Sequence, residues 1–283
     1  MNNDKNKKLW LEKVEKTMKI GGKSSATFSN YRSKILKFLN FYNNDVIISK
    51  IKDEDIASYV FDNYVKINKS ANTVNVSVCS IRFLYSVCFK REINRRILPN
   101  SKIKKRIPTI ISKDEFLLIL NNESNLKHKC WLLLAFCSGL RVDEVANVKI
   151  ENIYSKEHKL KVLGKGNKER FTILPDVVIK FLRLYYKSSK SNSKTGNLFK
   201  CANRSAMNTK TIVNYFTSIK MKYKLNDNIT FHSLRHSFAT YYLINGGNIL
   251  TLKSMLGHTH LGATGIYVHI SLNFNEIEGI KYV

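Results

Sequence analysis

Acidic residues, proline and long apolar runs are all scarce in this chain, and each shortage excludes something. Only 21 Asp and Glu stand against 48 Lys and Arg in 283 residues, leaving a formal charge of +27 spread along the whole length. An excess of that size points to a polyanionic partner. Charge alone leaves nucleic acid, an anionic membrane surface and a ribosomal site open, with nucleic acid favoured. No stretch approaches the roughly 20 apolar residues that span a bilayer, and the polar first eight residues lack the apolar centre of a signal peptide. A cytoplasmic protein with no membrane role is expected.

Metal ligands are as poorly represented. The five cysteines, Cys79, Cys88, Cys130, Cys137 and Cys201, are odd in number, include no Cys-x-x-Cys pair and sit largely in apolar periodic segments. They read as reduced thiols, with no structural zinc and no disulfide framework. His232 and His236 are four apart, but the glutamate of a His-Glu-x-x-His motif is missing and no carboxylate falls between them. A metal-dependent nuclease lacks its cluster of ligands, so neither metal nor cofactor is expected. Gly164-Lys165-Gly166 is not a P-loop, because the second glycine is not followed by Lys-Ser or Lys-Thr at that spacing. No internal repeat is visible.

What is present reads as two domains, mainly α with a small antiparallel sheet. Tyr31, Ile35, Phe38, Leu39 and Tyr42 recur at helical spacing, as do Val74, Val78, Ile81, Tyr85 and Cys88. Between them, 52–65 opens with Asp53, Glu54 and Asp55, where the helix dipole favours negative charge. These segments predict a helical domain over 8–98. Residues 99–108 have a proline at each end and four cations, Lys102, Lys104, Lys105 and Arg106. The spacing predicts a basic linker, able to lie along a phosphate backbone or to serve as a solvated connector.

The remainder, 109–283, forms the second expected domain. Ser112 and Glu115 resemble a capping box opening a helix over 113–121, and a second apolar helix runs over 129–137 and breaks at Ser138-Gly139. Leu160 and Val162, then Phe171 and Ile173, alternate with polar residues about the turn 164–169, a β-hairpin pattern. A helix is expected over 176–186, and mostly helix from 210 to 267 with breaks at 226–228 and 246–247.

The chemistry-bearing residues lie in this second domain. Cleaving a phosphodiester needs a nucleophile, an acceptor for its proton, a donor for the departing oxygen, and cations about a transition state that gains negative charge. Tyr267 is a competent nucleophile once its proton is accepted. Arg141 and Arg235 each present a planar fork of donors that a lysine cannot match. Lys165, at a glycine-flanked turn, can swing in and donate a proton. His232 shares a helix face with Arg235, and His258 follows a glycine. Taken singly, each has a plainer explanation: packing for the tyrosine, a solvated salt bridge for an arginine, a turn for Gly164-Lys165-Gly166. Glu144, three residues after Arg141, suits either an acceptor that orients the guanidinium or an ordinary surface pair. His236 reads as a histidine packed under its helix. His260 and His269 carry no assigned chemistry, and His128 and His158 sit in polar stretches with no evident partner.

The ordered combination is more telling. Gly139-Leu140-Arg141-Val142-Asp143-Glu144, Gly164-Lys165-Gly166-Asn167-Lys168-Glu169-Arg170, His232-Ser233-Leu234-Arg235-His236-Ser237-Phe238-Ala239-Thr240, Leu256-Gly257-His258 and Ile266-Tyr267-Val268-His269 closely resemble the tyrosine recombinases, the phage integrase and Xer family, over most of 108–269. Ser25-Ala26-Thr27-Phe28-Ser29-Asn30-Tyr31 looks, less specifically, like the start of that family's core-binding domain. The resemblance implies a helical SAM-like core-binding domain and a catalytic domain forming a C-shaped clamp on DNA. It implies that Tyr267 attacks the scissile phosphate to form a 3′-phosphotyrosyl link and release a 5′-hydroxyl. Arg141 and Arg235 would clamp the non-bridging oxygens, Lys165 would be the general acid, His232 a base or donor, and His258 a phosphate ligand. Lys102, Lys104, Lys105, Arg106, Lys168 and Arg170 become expected DNA contacts. The covalent link conserves the bond energy, so no ATP is needed.

The resemblance further implies site-specific recombination through a Holliday junction on double-stranded DNA with an inverted-repeat core site. A dimer per site and a tetrameric synapse are implied, in the setting of integration, excision, resolution or transposition. A simple two-domain enzyme is expected, without the arm-binding domain of some phage integrases. Sixteen residues follow Tyr267, and Phe274, Ile277, Ile280 and Val283 mark the tail 268–283 as a segment exchanged between subunits, or else folded back on its own domain. A non-catalytic DNA-binding protein and a type IB topoisomerase on the same scaffold are the alternatives.

Overall fold

The computed structural model describes residues 3–42, 46–103, 107–164, 168–189, 193–201 and 206–272. The chain divides into two compact units, 1–105 and 106–283. It is mainly α-helical with one three-stranded antiparallel sheet. Among the described residues no helix is long and apolar enough to cross a membrane.

The first unit contains α1 (Asn3–Ile20), α2 (Ser25–Phe41), a 3₁₀ turn (Ile48–Lys50), α3 (Asp53–Val60) and α4 (Ala71–Phe89). The apolar stripes do what their spacing predicts: Ile35, Phe38 and Leu39 of α2 and Val74, Val78, Ile81 and Tyr85 of α4 are buried against each other. Ser24 caps α2 by accepting from the Thr27 amide, and Ser70 caps α4 in the same way through Thr73. Helix α3 carries its three acids in the first turn and runs on into a π-helical turn, Phe61–Val65. The beginning of the basic segment is tied to this unit rather than hanging free. The Ser101 amide donates to Asn75 Oδ1 at 2.7 Å, and Asn75 donates back to the Ser101 carbonyl at 3.0 Å. The described residues of 99–108 contain no helix or strand.

The second unit contains α5 (Lys113–Asn122), α6 (Leu126–Ser138), α7 (Val142–Ala146), a 3₁₀ turn (Ile150–Asn152), β1 (Ile153–Tyr154), β2 (Lys159–Leu163), β3 (Glu169–Ile173), α8 (Asp176–Ser188), α9 (Thr209–Lys222), α10 (Phe231–Ile244), α11 (Ile249–Leu256) and α12 (Gly262–Leu272). The capping box at Ser112 and Glu115 is present in full. From Cys130 onward helix α6 is apolar on every side, as a helix packed all round must be. Trp131 to Ala135 are all buried, and α8 and α10 pack against it. Cys130 and Cys137 sit in this core, and burial pushes both thiols up to about 12. All five cysteines are free.

The hairpin is where the alternating pattern needs correction. Strands β2 and β3 pair as expected, with Leu160 opposite Thr172 and Val162 opposite Arg170, and the short β1 adds a strand that the pattern did not signal. On β2 Leu160 and Val162 point inward. On β3 the pattern differs: Phe171 is 50% exposed and rests against Tyr154, Ile173 is partly buried, and Thr172 and Arg170 face the interior. The inward positions are taken by polar groups with buried partners, since the Thr172 hydroxyl donates to the Ser138 carbonyl at 2.7 Å. Arg170 is accounted for below.

Candidate active site

Gly139 ends α6 in the left-handed conformation, φ +67°, and a Cβ there would stand 2.4 Å from the Phe238 ring. That sharp exit aims the Gly139 carbonyl at α10 and sets Arg141 at the N-cap of α7. The Glu144 side chain folds back to accept from the Arg141 amide at 2.8 Å and from Arg141 Nη1 at 3.0 Å. Its carboxylate is then shared. Arg170 of β3 donates to it through both terminal nitrogens, at 2.7 and 2.8 Å, and Arg235 Nη1 stands 3.5 Å from Oε2. One buried carboxylate, 6% exposed, thus organises three guanidiniums. Hydrogen bonds and charge from Arg170, with the Arg141 amide and Arg235, outweigh the desolvation that would raise its pKa and hold Glu144 below the usual carboxylate range.

Arg235, only 1% exposed, is braced from both sides of the site. Its Nη1 donates to the Gly139 carbonyl at 2.6 Å and its Nη2 to the Leu256 carbonyl at 2.5 Å. Desolvation first, then repulsion from Arg141, lowers its pKa to about 9. A guanidinium held so far from water is poised for an anion that replaces the lost hydration. His258 follows Gly257, which closes α11 with φ +66°. Its Nδ1 lies 2.9 Å from the buried Thr264 hydroxyl and its Nε2 3.5 Å from Arg235 Nη2. Burial and the nearby arginines push its pKa down to about 4, so it is neutral at pH 7.

Tyr267 comes from the middle of α12. It is 3% exposed, packed among Phe238, Leu252, Met255 and Leu256, and its hydroxyl lies 2.8 Å from Nδ1 of His236. Burial raises the phenol's pKa, while Arg235 and then Arg141 pull it down. His232, one turn before His236 on α10, sets its ring edge-on to that of His236, with centroids 4.5 Å apart. His232 keeps an exposed edge, yet the protein around the rest of its ring lowers its pKa, ahead of repulsion from Arg235 and Arg141.

A phenol, two forked cations and neutral imidazoles gathered within one unit form a set able to bind and attack a phosphodiester. Comparison with known proteins gives this set its context. Residues 109–273 match the model of the phage integrase family, and residues 10–95 match that of the phage integrase N-terminal SAM-like domain. The chain belongs to the phage integrase family. It is 26% identical over 265 residues to the tyrosine recombinase XerD of Staphylococcus epidermidis, covering 88% of this chain and 90% of that one. The XerD of Staphylococcus aureus is 27% identical over the same shares. Among solved structures, XerA recombinase matches with TM-score 0.54 at 26% identity, over 93% of this chain and 96% of that one. A λ integrase dimer bound to a core site matches with TM-score 0.74 at 19% identity, over 96% of this chain and 98% of that one.

Of the residues singled out in the sequence, the fold brings Arg141, Glu144, His232, Arg235, His258 and Tyr267 into this cluster. Lys165 lies outside the described residues, as do Lys104, Lys105, Arg106 and the tail from 273 onward. Lys102 and Lys168 are exposed. Arg170 does not fit its expected place as a DNA contact. Its side chain is 7% exposed, both terminal nitrogens are committed to Glu144, and Nε donates to the Met255 carbonyl at 2.6 Å. It is an internal brace joining β3 to α7 and to the end of α11. Gly257 leaves room for it, since a Cβ there would stand 3.0 Å from Arg170 Cδ.

Sequence reasoning also passed over His236, whose contact with Tyr267 depends on how α10 meets α12. The signal was present all the same, because His236 follows Arg235 directly and lies one turn from His232. His128 and His158, read as having no partner, each have a carboxylate. His128 Nδ1 is 3.4 Å from Glu123, and exposed His158 is 3.7 Å from Asp176. Neither lies in the cluster.

Proposed function

We propose that this chain is a site-specific tyrosine recombinase that cleaves and rejoins double-stranded DNA through a 3′-phosphotyrosyl intermediate, working in the cytoplasm at the nucleoid. The observation that carries the reading is the shared Glu144 carboxylate, which presets the guanidiniums of Arg141 and Arg235 in the unit that also presents Tyr267. A phosphate seated on the two arginines has its non-bridging oxygens neutralised by cations whose position is fixed before it arrives, and such preorganisation is worth most where water is excluded. His258, oriented through Thr264, adds a neutral donor to the same oxygens, and exposed His232 feels the charge of both arginines. Tyr267 attacks phosphorus and the 5′-oxygen leaves with a proton, for which Lys165 is the assigned donor. No step in this sequence calls for a metal or a nucleotide cofactor. Exposed Lys102 and Lys168, with Lys104, Lys105 and Arg106, supply sequence-independent phosphate contacts.

Related solved structures include a λ integrase tetramer bound to a Holliday junction, a Tn1549 transposon integrase with circular-intermediate DNA, and XerH bound to difH in a post-cleavage complex. By analogy this chain acts as a dimer on each inverted-repeat core site and as a tetramer in the synapse, with the tail exchanged between subunits from beyond Leu272, because 268–272 belong to α12. Integration, excision, resolution and transposition all use the same chemistry.

The test is covalent capture. Sheared genomic DNA from the source organism, incubated with the protein and then denatured, should yield fragments held as phosphotyrosyl adducts that share one core sequence. Tyr267→Phe should bind duplex but capture nothing, and capture should persist in excess EDTA. An adduct formed by the Phe variant overturns the nucleophile, and a loss in EDTA that divalent metal restores overturns the metal-independent mechanism.

A further inference from the structure

Tyr267 has to lose a proton, and the family resemblance leaves its destination open between His232 and other groups. The structure supplies a more direct candidate. The Tyr267 hydroxyl lies 2.8 Å from Nδ1 of His236, with the two rings 5.7 Å apart and tilted by 44°. His236 projects from α10 in the turn after His232, immediately beyond Arg235, and α12 packs directly against α10. The exposed ring of His232 lies edge-on against the far partner of this contact, His236, rather than on the phenol. Resting on the reading of Tyr267 as nucleophile, we propose that His236 is a catalytic residue, the general base that takes the Tyr267 proton at Nδ1 during strand cleavage and returns it during rejoining.

The step balances without any outside reagent. The phenolic O–H bond breaks and its proton passes to Nδ1 of His236, giving an imidazolium. The phenolic oxygen forms its bond to phosphorus, the bond from phosphorus to the 5′-oxygen breaks, and that oxygen leaves as a hydroxyl with the proton assigned to Lys165. In rejoining, the 5′-hydroxyl gives its proton back to Lys165 as its oxygen bonds to phosphorus, the bond from phosphorus to the phenolic oxygen breaks, and the departing phenolate recovers its proton from His236. The proposal requires the tautomer with hydrogen on Nε2, so that Nδ1 is free to accept.

The surroundings keep His236 in its accepting form. Burial, then the charges of His232, Arg235 and His258, pushes its pKa down to about 4, so the ring is neutral through the physiological range. Among the described residues, those groups and Tyr267 are the titratable side chains that face it from α10, α12 and the turn after α11. A base so depressed would be a poor match for a phenol if the field stayed fixed. Part of the depression comes from Arg235, and a phosphate bound on that guanidinium cancels it. His236 thus becomes more basic when DNA is seated, which couples proton removal to the presence of the scissile phosphate.

The experiment uses the full chain and a nicked duplex bearing the core sequence recovered by adduct capture, with single-turnover adduct formation followed from pH 6 to 9.5. His236→Asn keeps an amide oxygen near the place of Nδ1 but cannot hold a proton. It is expected to bind the duplex within about threefold of the wild type and to form adduct roughly 10²- to 10³-fold more slowly at pH 7. The deficit should shrink toward high pH as hydroxide takes over, and added imidazole should partly restore His236→Ala. Asn at the wild-type rate overturns the assignment, as does a deficit that is constant with pH and unmoved by imidazole. Should the Ala variant fail to fold, the Asn profile alone decides. Failure of the parent reading is separable, because it appears as an adduct in Tyr267→Phe, whereas failure of this inference leaves that variant inert and His236→Asn either fully active or slowed equally at every pH.

Discussion

The two units are stabilised in different ways. The interior of the first is a set of aromatic rings meeting edge to face, with Phe38 touching Tyr42, Tyr59 and Tyr85 at 5.1 to 6.2 Å. Its main ion pair, Arg91 with Asp53, sits at the margin with both side chains partly open to water. The second unit places Glu144, Arg170 and Arg235 deep inside and surrounds them with helices. Burying an ion costs several kcal/mol unless its partners replace the lost hydration. A domain that needed only to fold would have no use for such an arrangement. The comparison separates what holds the chain together from what prepares it to bind a phosphate.

The sharpest way to test that separation is to damage each interior equally. Phe38→Ala and Glu144→Ala should each lower unfolding stability by roughly 3 to 5 kcal/mol, the first through a cavity and the second by stranding guanidiniums that share one carboxylate. Trp10 and Trp131 place one fluorescent reporter in each unit, so urea unfolding of the Trp10→Phe and Trp131→Phe backgrounds reads the two losses separately. Adduct formation with DNA at saturation, at a temperature where both variants are folded, should differ far more. Glu144→Ala should fall about 10³-fold or further, because Arg141 and Arg235, the proposed phosphate clamps, lose their setting, and Phe38→Ala should stay within about threefold. Similar activities in the two variants would break the distinction.

Acid should find the second unit first. All seven histidines lie there, at 128 and beyond. His236 and His258 have folded pKa values near 4, below the ordinary 6.5. The unfolded chain therefore binds protons at these sites before the folded one does, and stability falls as pH drops from about 6.5 to about 4. Glu144, whose pKa is lowered in the fold, contributes stability that is complete above the unfolded carboxylate value and is lost only as pH falls through the folded one. The decline should come in two stages, histidines first and the carboxylate later. Hydrogen exchange at pH 7.5 and pH 5 should show protection weakening in α10 and α12 while α2 and α4 hold theirs. Equal weakening in both units would contradict it.

Much of this was legible in the sequence, and the exceptions share a cause. Helices α2 and α4 followed from their apolar stripes, and the capping box from Ser112 and Glu115, because each is decided by residues close together in the chain. The family blocks drew attention to Arg141, Arg235, His258 and Tyr267 for the same reason. The face of β3 did not follow. Alternation predicts apolar residues inside, but Arg170 and Thr172 turn inward to meet Glu144 and the Ser138 carbonyl, groups 26 and 34 residues away. His236 was missed likewise, since its partner on α12 lies 31 residues on. Local rules fail where a site overrides them, and both misses border the same cluster.

Arg170→Lys sharpens the point at smaller scale. Lysine keeps the charge but cannot donate to both oxygens of Glu144 while also reaching the Met255 carbonyl. A loss of about 1 to 3 kcal/mol is expected, from hydrogen bonds to a charged group, measured by urea unfolding with Trp131 as reporter. Salt dependence of DNA binding should be unchanged, because this guanidinium is committed to Glu144 and the Met255 carbonyl. A shallower salt slope would restore Arg170 to the DNA interface.

The smallest effect belongs to a change inside the second unit that leaves its charges alone. Ser112 caps α5, accepting from the Glu115 amide at 3.2 Å while Glu115 accepts from the Ser112 amide at 2.9 Å. Ser112→Ala removes one half of that exchange and should cost about 1 kcal/mol. Glu115 retains its bond to the backbone, so the helix start frays without being lost. Residues 111 and 112 lead into α5 beside α10, where the Ile111 amide donates to Ser237 at 2.8 Å. A loosened cap therefore presses first on Ser237, on the part of α10 that follows His236. If adduct formation stays within about twofold of the wild type, the preorganised cluster is insulated from its own scaffold, and the contrast lies between the cluster and everything else rather than between the two units. A tenfold loss for so small a change in stability would mean instead that the position of α10 is set from its flank, and that His236 and Arg235 depend on it.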